Sequence, residues 1–217
     1  MGYQQSDSLI DRLEFFVATD SLKSTFRANW IRGEQRFESV AEHVWHATLL
    51  AMVFADAAPE GTDHNKVRDL LTVHDLVEVY AGDVPIWDQH SASDIELSEQ
   101  EAGERLMALL PSVARDRLDP LWREFQAQQT TEARFARAID ALHPMVMSWF
   151  PPPVGHQRRA EITPARVLAR KGPDIEPFPA LWEVAQWLVL QAVDAGFIPA
   201  DKVSNRIAAE GMRHGER

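Results

Sequence analysis

Apolar residues along the chain recur at intervals of three and four, the spacing of one helix face, and no stretch alternates long enough to predict a strand. Leu9, Leu13 and Phe16 open this pattern, and a polar stretch over 20–23 closes it. Ser39 and Glu42 stand in the S-x-x-E spacing of a capping box and predict a helix start before the apolar run 40–54. Residues 63–79 put Val67, Leu70, Leu71 and Val73 on one side and close near Gly82, a residue suited to ending a helix in the left-handed conformation. Pro85 then prevents continuation. A second capping box, Ser93 with Glu96, opens a helix expected to reach Leu110, and 118–126 predicts a shorter one. Thr130 or Thr131 caps a helix carrying Phe135, Ile139 and Leu142, which Pro144 is expected to kink unless it falls near the end. The triple proline at 151–153 is a break, 155–179 predicts a polar excursion, and 180–193 and 201–209 predict two closing helices. The expected fold is all-α, a single compact domain over 1–217 without strands or repeats.

Composition narrows the chemistry. The chain has 217 residues, enough to bury a substantial core as one domain. A net charge of −11 opposes non-specific binding to nucleic acid or anionic membrane, although a local cluster of Arg or Lys leaves room for a small phosphorylated substrate. There are no cysteines, which removes disulfides, thiolate metal sites and cysteine nucleophiles, so any metal must bind through nitrogen and oxygen. Cysteine-free composition, no run of transmembrane length and no basic–apolar leader at Met1 lead to an expected cytoplasmic protein. Gly2 and Ser6 match a myristoylation pattern too short to carry weight.

The string from His74 to Asp83 carries the chemistry. His74 and Asp75 offer an imidazole nitrogen and a carboxylate oxygen from one turn, and Glu78 follows one turn later on the same face. Asp83 comes after Gly82, so two candidate ligands and two candidate acid–base groups lie within ten residues. His43, in the first turn of the capped helix, is the third candidate ligand, and Asp140, in Arg137-Ala-Ile-Asp140-Ala-Leu-His143, the fourth. Two imidazoles and two carboxylates suit Mn²⁺, Fe²⁺, Co²⁺ or Zn²⁺.

The ordered set His43 … His74-Asp75 … Asp140 resembles the HD-domain metal-dependent phosphohydrolases. Glu-Ser-Val-Ala-Glu-His at 38–43 and His-Asp-Leu-Val-Glu-Val-Tyr-Ala-Gly-Asp-Val-Pro at 74–85 are similar to their 5′-deoxynucleotidase group. The entry segment Leu22-Lys23 … Arg27 … Trp30 … Arg36 and the stretch Leu121-Trp122-Arg-Glu124-Phe extend the resemblance over about 8–150. It implies a helical bundle around one divalent metal held by His43, His74, Asp75 and Asp140. It further implies Glu78 as acid–base or water-orienting group, Asp83 as positioner of the attacking water, Arg27 on the phosphate and Trp30 near the sugar. His46 and His143 depart from the residues usual in that group.

The resulting expectation is a hydrolase that releases phosphate from nucleoside 5′-monophosphates, most favourably deoxynucleotides. A homodimer is implied by the resemblance, with 181–193 either its interface or core. The rivals are hydrolysis of an alarmone or other phosphorylated metabolite, a di-iron oxygenase, and a non-catalytic nucleotide sensor. An oxygenase of this type needs extra histidines between the central pair and the distal aspartate, where only His90 stands.

Overall fold

The computed structural model describes residues 9–31, 36–83, 92–150 and 161–214, with only the backbone described at 92–96 and 211–214. Pro85, Trp87, Asp88, His90, the triple proline and the side chains of the Ser93–Glu96 cap lie outside the described residues, as do Gly2 and Ser6.

Among the described residues, ten α-helices and one small hairpin are joined by turns and three short 3₁₀ segments: α1 Leu13–Ala18, β1 Phe26–Trp30, β2 Phe37–Ser39, α2 Val40–Val53, α3 His64–Val73, α4 Glu78–Ala81, α5 Ala92–Met107, α6 Ser112–Ala127, α7 Thr131–Trp149, α8 Pro164–Ile175, α9 Pro179–Asp194 and α10 Lys202–His214. The all-α expectation holds, with the hairpin as an addition. β1 and β2 pair antiparallel, Phe26 opposite Ser39 and Trp30 opposite Phe37. The strand was invisible to hydrophobic patterning because its faces are inverted. Arg27 and Asn29 point to the protein side, while Phe26 and Trp30 are exposed.

Ser39 caps α2 as expected. Its hydroxyl accepts from the Glu42 N–H, and the Glu42 carboxylate accepts from the Ser39 N–H at 2.9 Å. The expected helix 63–79 instead breaks at Val73, after a start in which the Asp63 side chain accepts from the N–H groups of Asn65 and Lys66. Beyond it the backbone tightens into i→i+3 bonds, Glu78 N–H to Asp75 C=O at 3.1 Å and Val79 N–H to Leu76 C=O at 3.2 Å. Side chains three apart eclipse in such turns, which stacks Glu78 over Asp75. Gly82 has φ 72° and ψ 167°, a positive φ as expected but an extended ψ, so the chain leaves α4 straight into Asp83.

Two further boundaries differ from expectation. Helix α6 begins at Ser112 and carries Pro120 inside it, whereas α7 keeps its Thr130 cap and has Pro144 toward its end at Trp149. The polar excursion 155–179 contains α8, started by Thr163 capping Arg166 and by Pro164 in its first turn. Arg166 and Arg170 face out while Val167, Leu168 and Ile175 are buried, Lys171 is partly enclosed on the site side, and Gly172 and Pro173 fall near the helix end.

α7 is the central helix, buried along most of its circumference by Phe135, Ala136, Ile139, Leu142 and Met145. One apolar cluster joins it to α2, α3, α8 and α9; a second, from Phe15, Val73, Val77, Leu106 and Trp122, packs α5 against α6. On α9, Leu181, Ala185, Leu188, Val189 and Ala192 are core, so that row is not a free interface. No described helix is long and apolar enough to cross a membrane.

Candidate metal centre

The centre forms where α2, the turn after α3, and α7 converge beneath the hairpin. His74 is buried at the α3 terminus, and its Nδ1–H donates to the Leu71 carbonyl at 2.7 Å. A carbonyl only accepts, so the proton sits on Nδ1 and Nε2 carries a lone pair. That Nε2 has no hydrogen-bond partner, although it lies 3.1 Å from Asp75 Oδ1 and 3.5 Å from Asp140 Oδ1. A lone pair facing two carboxylates is stable only with a cation between them. Burial opposes charge on His74, yet the Asp75 and Asp140 carboxylates outweigh it and raise the imidazole to about 10, so a cation is favoured at Nε2: a metal ion where one is bound, a second proton otherwise.

His43, in the first turns of α2, completes the set. Its Nε2 is 3.0 Å from Asp140 Oδ1 and 3.8 Å from Asp75 Oδ2. Ligand atoms of His43, His74 and Asp75 all lie within 4.8 Å of one another. Donors placed about 2 Å from one ion are spaced on this scale, so the residues fit a divalent metal with nitrogen and oxygen preference. Burial lowers His43 to about 4, which leaves it neutral and able to ligate. Although burial opposes it, the His74 charge holds Asp75 well below the usual carboxylate range, and both histidines do the same for Asp140. Phe125 packs against the His74 ring at 5.0 Å between centroids and closes the site from below.

Arg27 reaches in from β1. Its Nη1 is 2.7 Å from Asp75 Oδ2, 3.5 Å from Asp83 Oδ1 and 3.6 Å from Glu78 Oε1, one guanidinium among three carboxylates. Burial, reinforced by the Asp75 charge, pushes Glu78 up to about 9, and its buried Oε2 has no hydrogen-bond partner. Asp83 is raised too, first by burial. The structure therefore brings together His43, His74, Asp75, Asp140, Glu78, Asp83 and Arg27. Trp30 is separated from them: it faces outward on β1, 39% exposed, and packs on Phe37 at 4.6 Å. Asn29 shares the Arg27 face and stands 3.4 Å from the Ser148 hydroxyl of α7.

A family model described as an HD domain matches residues 19–182, most of the chain and all of the cluster. The chain belongs to the HD-domain family. It is similar to the 5′-deoxynucleotidase HDDC2 of Homo sapiens, 32% identical over 129 residues, which are 59% of this chain and 62% of that enzyme. The mouse enzyme of the same name is 30% identical over 141 residues, covering 64% and 69%. The 5′-deoxynucleotidase hdd1 of Schizosaccharomyces pombe is 27% identical over 131 residues, covering 58% and 65%. The HD-domain chain thus spans about three-fifths of the human relative. Among solved structures, a predicted metal-dependent phosphohydrolase from Magnetospirillum magnetotacticum superposes with a TM-score of 0.77 at 33% identity, over 91% of this chain and 99% of that one.

Sequence patterning left the roles of His143 and His46 of this HD domain open and gave Glu38 none. His143, three residues after Asp140, is buried with its Nδ1 3.1 Å from His43 Nδ1 and its Nε2 3.1 Å from His46 Nδ1. Glu38 is buried on β2, 3.8 Å from His43 Nδ1 and 4.0 Å from His143 Nε2. The spacings 43/46 and 140/143 are each one helical step, a signal that gains meaning only once α2 and α7 are known to face each other.

Proposed function

We propose that the protein is a divalent-metal-dependent phosphomonoester hydrolase that releases phosphate from nucleoside 5′-monophosphates, deoxynucleotides foremost. The observation that carries the reading is the unpartnered His74 Nε2 aimed at Asp75 and Asp140. The names of the relatives supply the substrate class. His43, His74, Asp75 and Asp140 would hold one Mn²⁺, Co²⁺, Fe²⁺ or Zn²⁺. A divalent ion there supplies Lewis acidity and lowers the pKa of water.

Every other part of the work falls to side chains. Asp83 lies beside Arg27 and orients the attacking water. Glu78 holds a proton at neutral pH, as its rise to about 9 requires. It gives that proton to the nucleoside 5′-oxygen as the bond from that oxygen to phosphorus breaks and the water oxygen bonds to phosphorus, and the proton that the water releases restores Glu78. Arg27 turns its guanidinium to the phosphate oxygens, where two parallel bonds fix the group. Arg137, 3.5 Å from Asp140, and Lys171 of α8 add local positive charge against the acidic whole. For Trp30 a sugar contact needs a nucleotide that reaches over the edge of the hairpin. A homodimer and a cytoplasmic location belong to the same proposal, and sedimentation showing a monomer at micromolar concentration removes the first.

The test is phosphate release from a panel of ribo- and deoxynucleoside 5′-monophosphates with Mn²⁺ or Co²⁺, with Asp75→Ala as control. Turnover that disappears in Asp75→Ala supports the hydrolase and reads out sugar preference. No turnover with one metal bound moves the substrate to another phosphorylated metabolite or to the sensor reading. Two irons per chain favour the oxygenase.

A further inference from the structure

Behind the metal-facing side of His43 lies a row that the proposed reaction leaves unused: His43, His143 and His46, flanked by Glu38. The two nitrogen-to-nitrogen contacts are each 3.1 Å, and adjacent rings meet near perpendicular, at 78° and 85°. Edge-on approach at that distance is hydrogen bonding, and each contact needs one proton. A histidine that ligates a metal is neutral and has a single N–H, so the direction of each contact in the row decides which His43 nitrogen carries it.

Two arrangements satisfy the row. In the first, His43 Nδ1–H donates to His143 Nδ1, and His143 Nε2–H donates to His46 Nδ1. In the second, His46 Nδ1–H donates to His143 Nε2, His143 Nδ1–H donates to His43 Nδ1, and His43 Nε2–H donates to Asp140 Oδ1, 3.0 Å away. Only the first leaves a lone pair on His43 Nε2.

Glu38 biases the choice. Its two carboxyl oxygens lie 3.8 Å from His43 Nδ1 and 4.0 Å from His143 Nε2, the two nitrogens that carry protons in the first arrangement. The protonated nitrogens then stand beside the carboxyl oxygens, whereas the second arrangement leaves lone-pair nitrogens there. The far end of the row is anchored by the His46 ring, stacked on Trp45 with an interplanar angle of 17°.

We infer that His143 is a positioning residue for the metal centre: it accepts the Nδ1 proton of His43 and holds that ligand in the tautomer whose Nε2 is open to a metal. For His74 the Leu71 carbonyl does the same work by itself, because it cannot donate. His43 has an imidazole in that place, which can donate or accept, so the direction of the row has to be set by Glu38 and His46. The inference rests on the metal-centre reading.

The experiment measures the dissociation constant for Zn²⁺ by chelator competition in the full chain, as wild type, His143→Ala and His143→Asn. It adds ¹⁵N imidazole NMR of the zinc-loaded wild type. His143→Ala is expected to bind metal about 10–100-fold more weakly, the usual cost of losing the group that orients a histidine ligand. In His143→Asn the amide oxygen accepts near the original Nδ1 position and recovers most of the affinity, which a merely space-filling role does not explain. The spectrum is expected to show His43 protonated at Nδ1. Affinity in His143→Ala within about twofold of wild type, or a His43 proton on Nε2, overturns the inference. So do two metal equivalents per wild-type chain falling to one in His143→Ala, since His143 is then a ligand. Should His143→Ala fail to fold, the wild-type spectrum and His143→Asn decide alone. A wild type that binds no metal overturns the metal-centre reading itself, an outcome distinct from these.

Discussion

At the scale of single residues the site is a contest over protons in a confined volume. Asp75 and Asp140 stay ionised beside imidazoles, while Glu78, three residues from Asp75 and equally enclosed, keeps its proton because a third negative charge has no room. Carboxylates pushed apart in this way mark the division between ligand and acid. Glu78→Gln keeps the volume and removes the proton exchange. It is expected to lower kcat by about 10²–10⁴-fold with metal content unchanged. Steady-state kinetics beside metal analysis checks this, and kcat within about tenfold of wild type removes the acid role. The candidate ligands and acids were legible because His74, Asp75, Glu78 and Asp83 crowd one short string. Glu38 was not, because its meaning lies in facing His43 and His143, one from α2 and one from α7.

At the scale of elements, α2 carries His43 into place through its cap. The Ser39–Glu42 exchange is strengthened by Arg36, whose guanidinium donates to both Glu42 oxygens at 2.9 and 2.6 Å. Ser39→Ala is expected to destabilise the fold by about 1 kcal/mol, measured by chemical denaturation. Glu42 adds a pH signature. Hydrogen bonds from Arg36 and Ser39 lower it to about 2 from 4.5, so the unfolded chain takes up its proton first as pH falls. Its contribution is full above about pH 4.5 and is lost as pH drops through about 2; solvent screening keeps it small, since the group is 40% exposed. Glu42→Gln should lower the unfolding midpoint at pH 6 and leave it unchanged near pH 2. A difference that persists near pH 2 removes the carboxylate explanation. This cap was readable from sequence because its partners are three residues apart. β1 was not, because its polar side, Arg27 and Asn29, faces the site and its aromatic side faces out.

At the scale of the molecule, α7 organises the described residues by packing on α2, α3, α8 and α9 at once, so Asp140 and His143 enter the centre from a helix buried along most of its length. The second cluster depends on close approach of α5 to α6. A methyl group at Gly103 would stand 2.5 Å from the Trp122 ring, so that ring must move. Gly103→Ala is expected to cost about 1–3 kcal/mol despite its gain in helix propensity. Equilibrium unfolding checks it, and a neutral or stabilised variant means that Trp122 has an alternative packing.

The sequence by itself determined what short-range physics encodes: helical periodicity, the Ser39 cap, and the His-Asp string with its acid–base companions. Those signals arise within one or two turns, where spacing alone decides which side chains meet. Only the tertiary structure decided the rest. It broke the helix at Val73, turned 164–175 into a helix with a buried face, and put the apolar side of α9 in the core. It also set Arg27 against Asp75 across 48 residues and His43 against His143 across 100. Contacts that distant leave no period in the chain, because they depend on which faces of separate elements the packed core brings together.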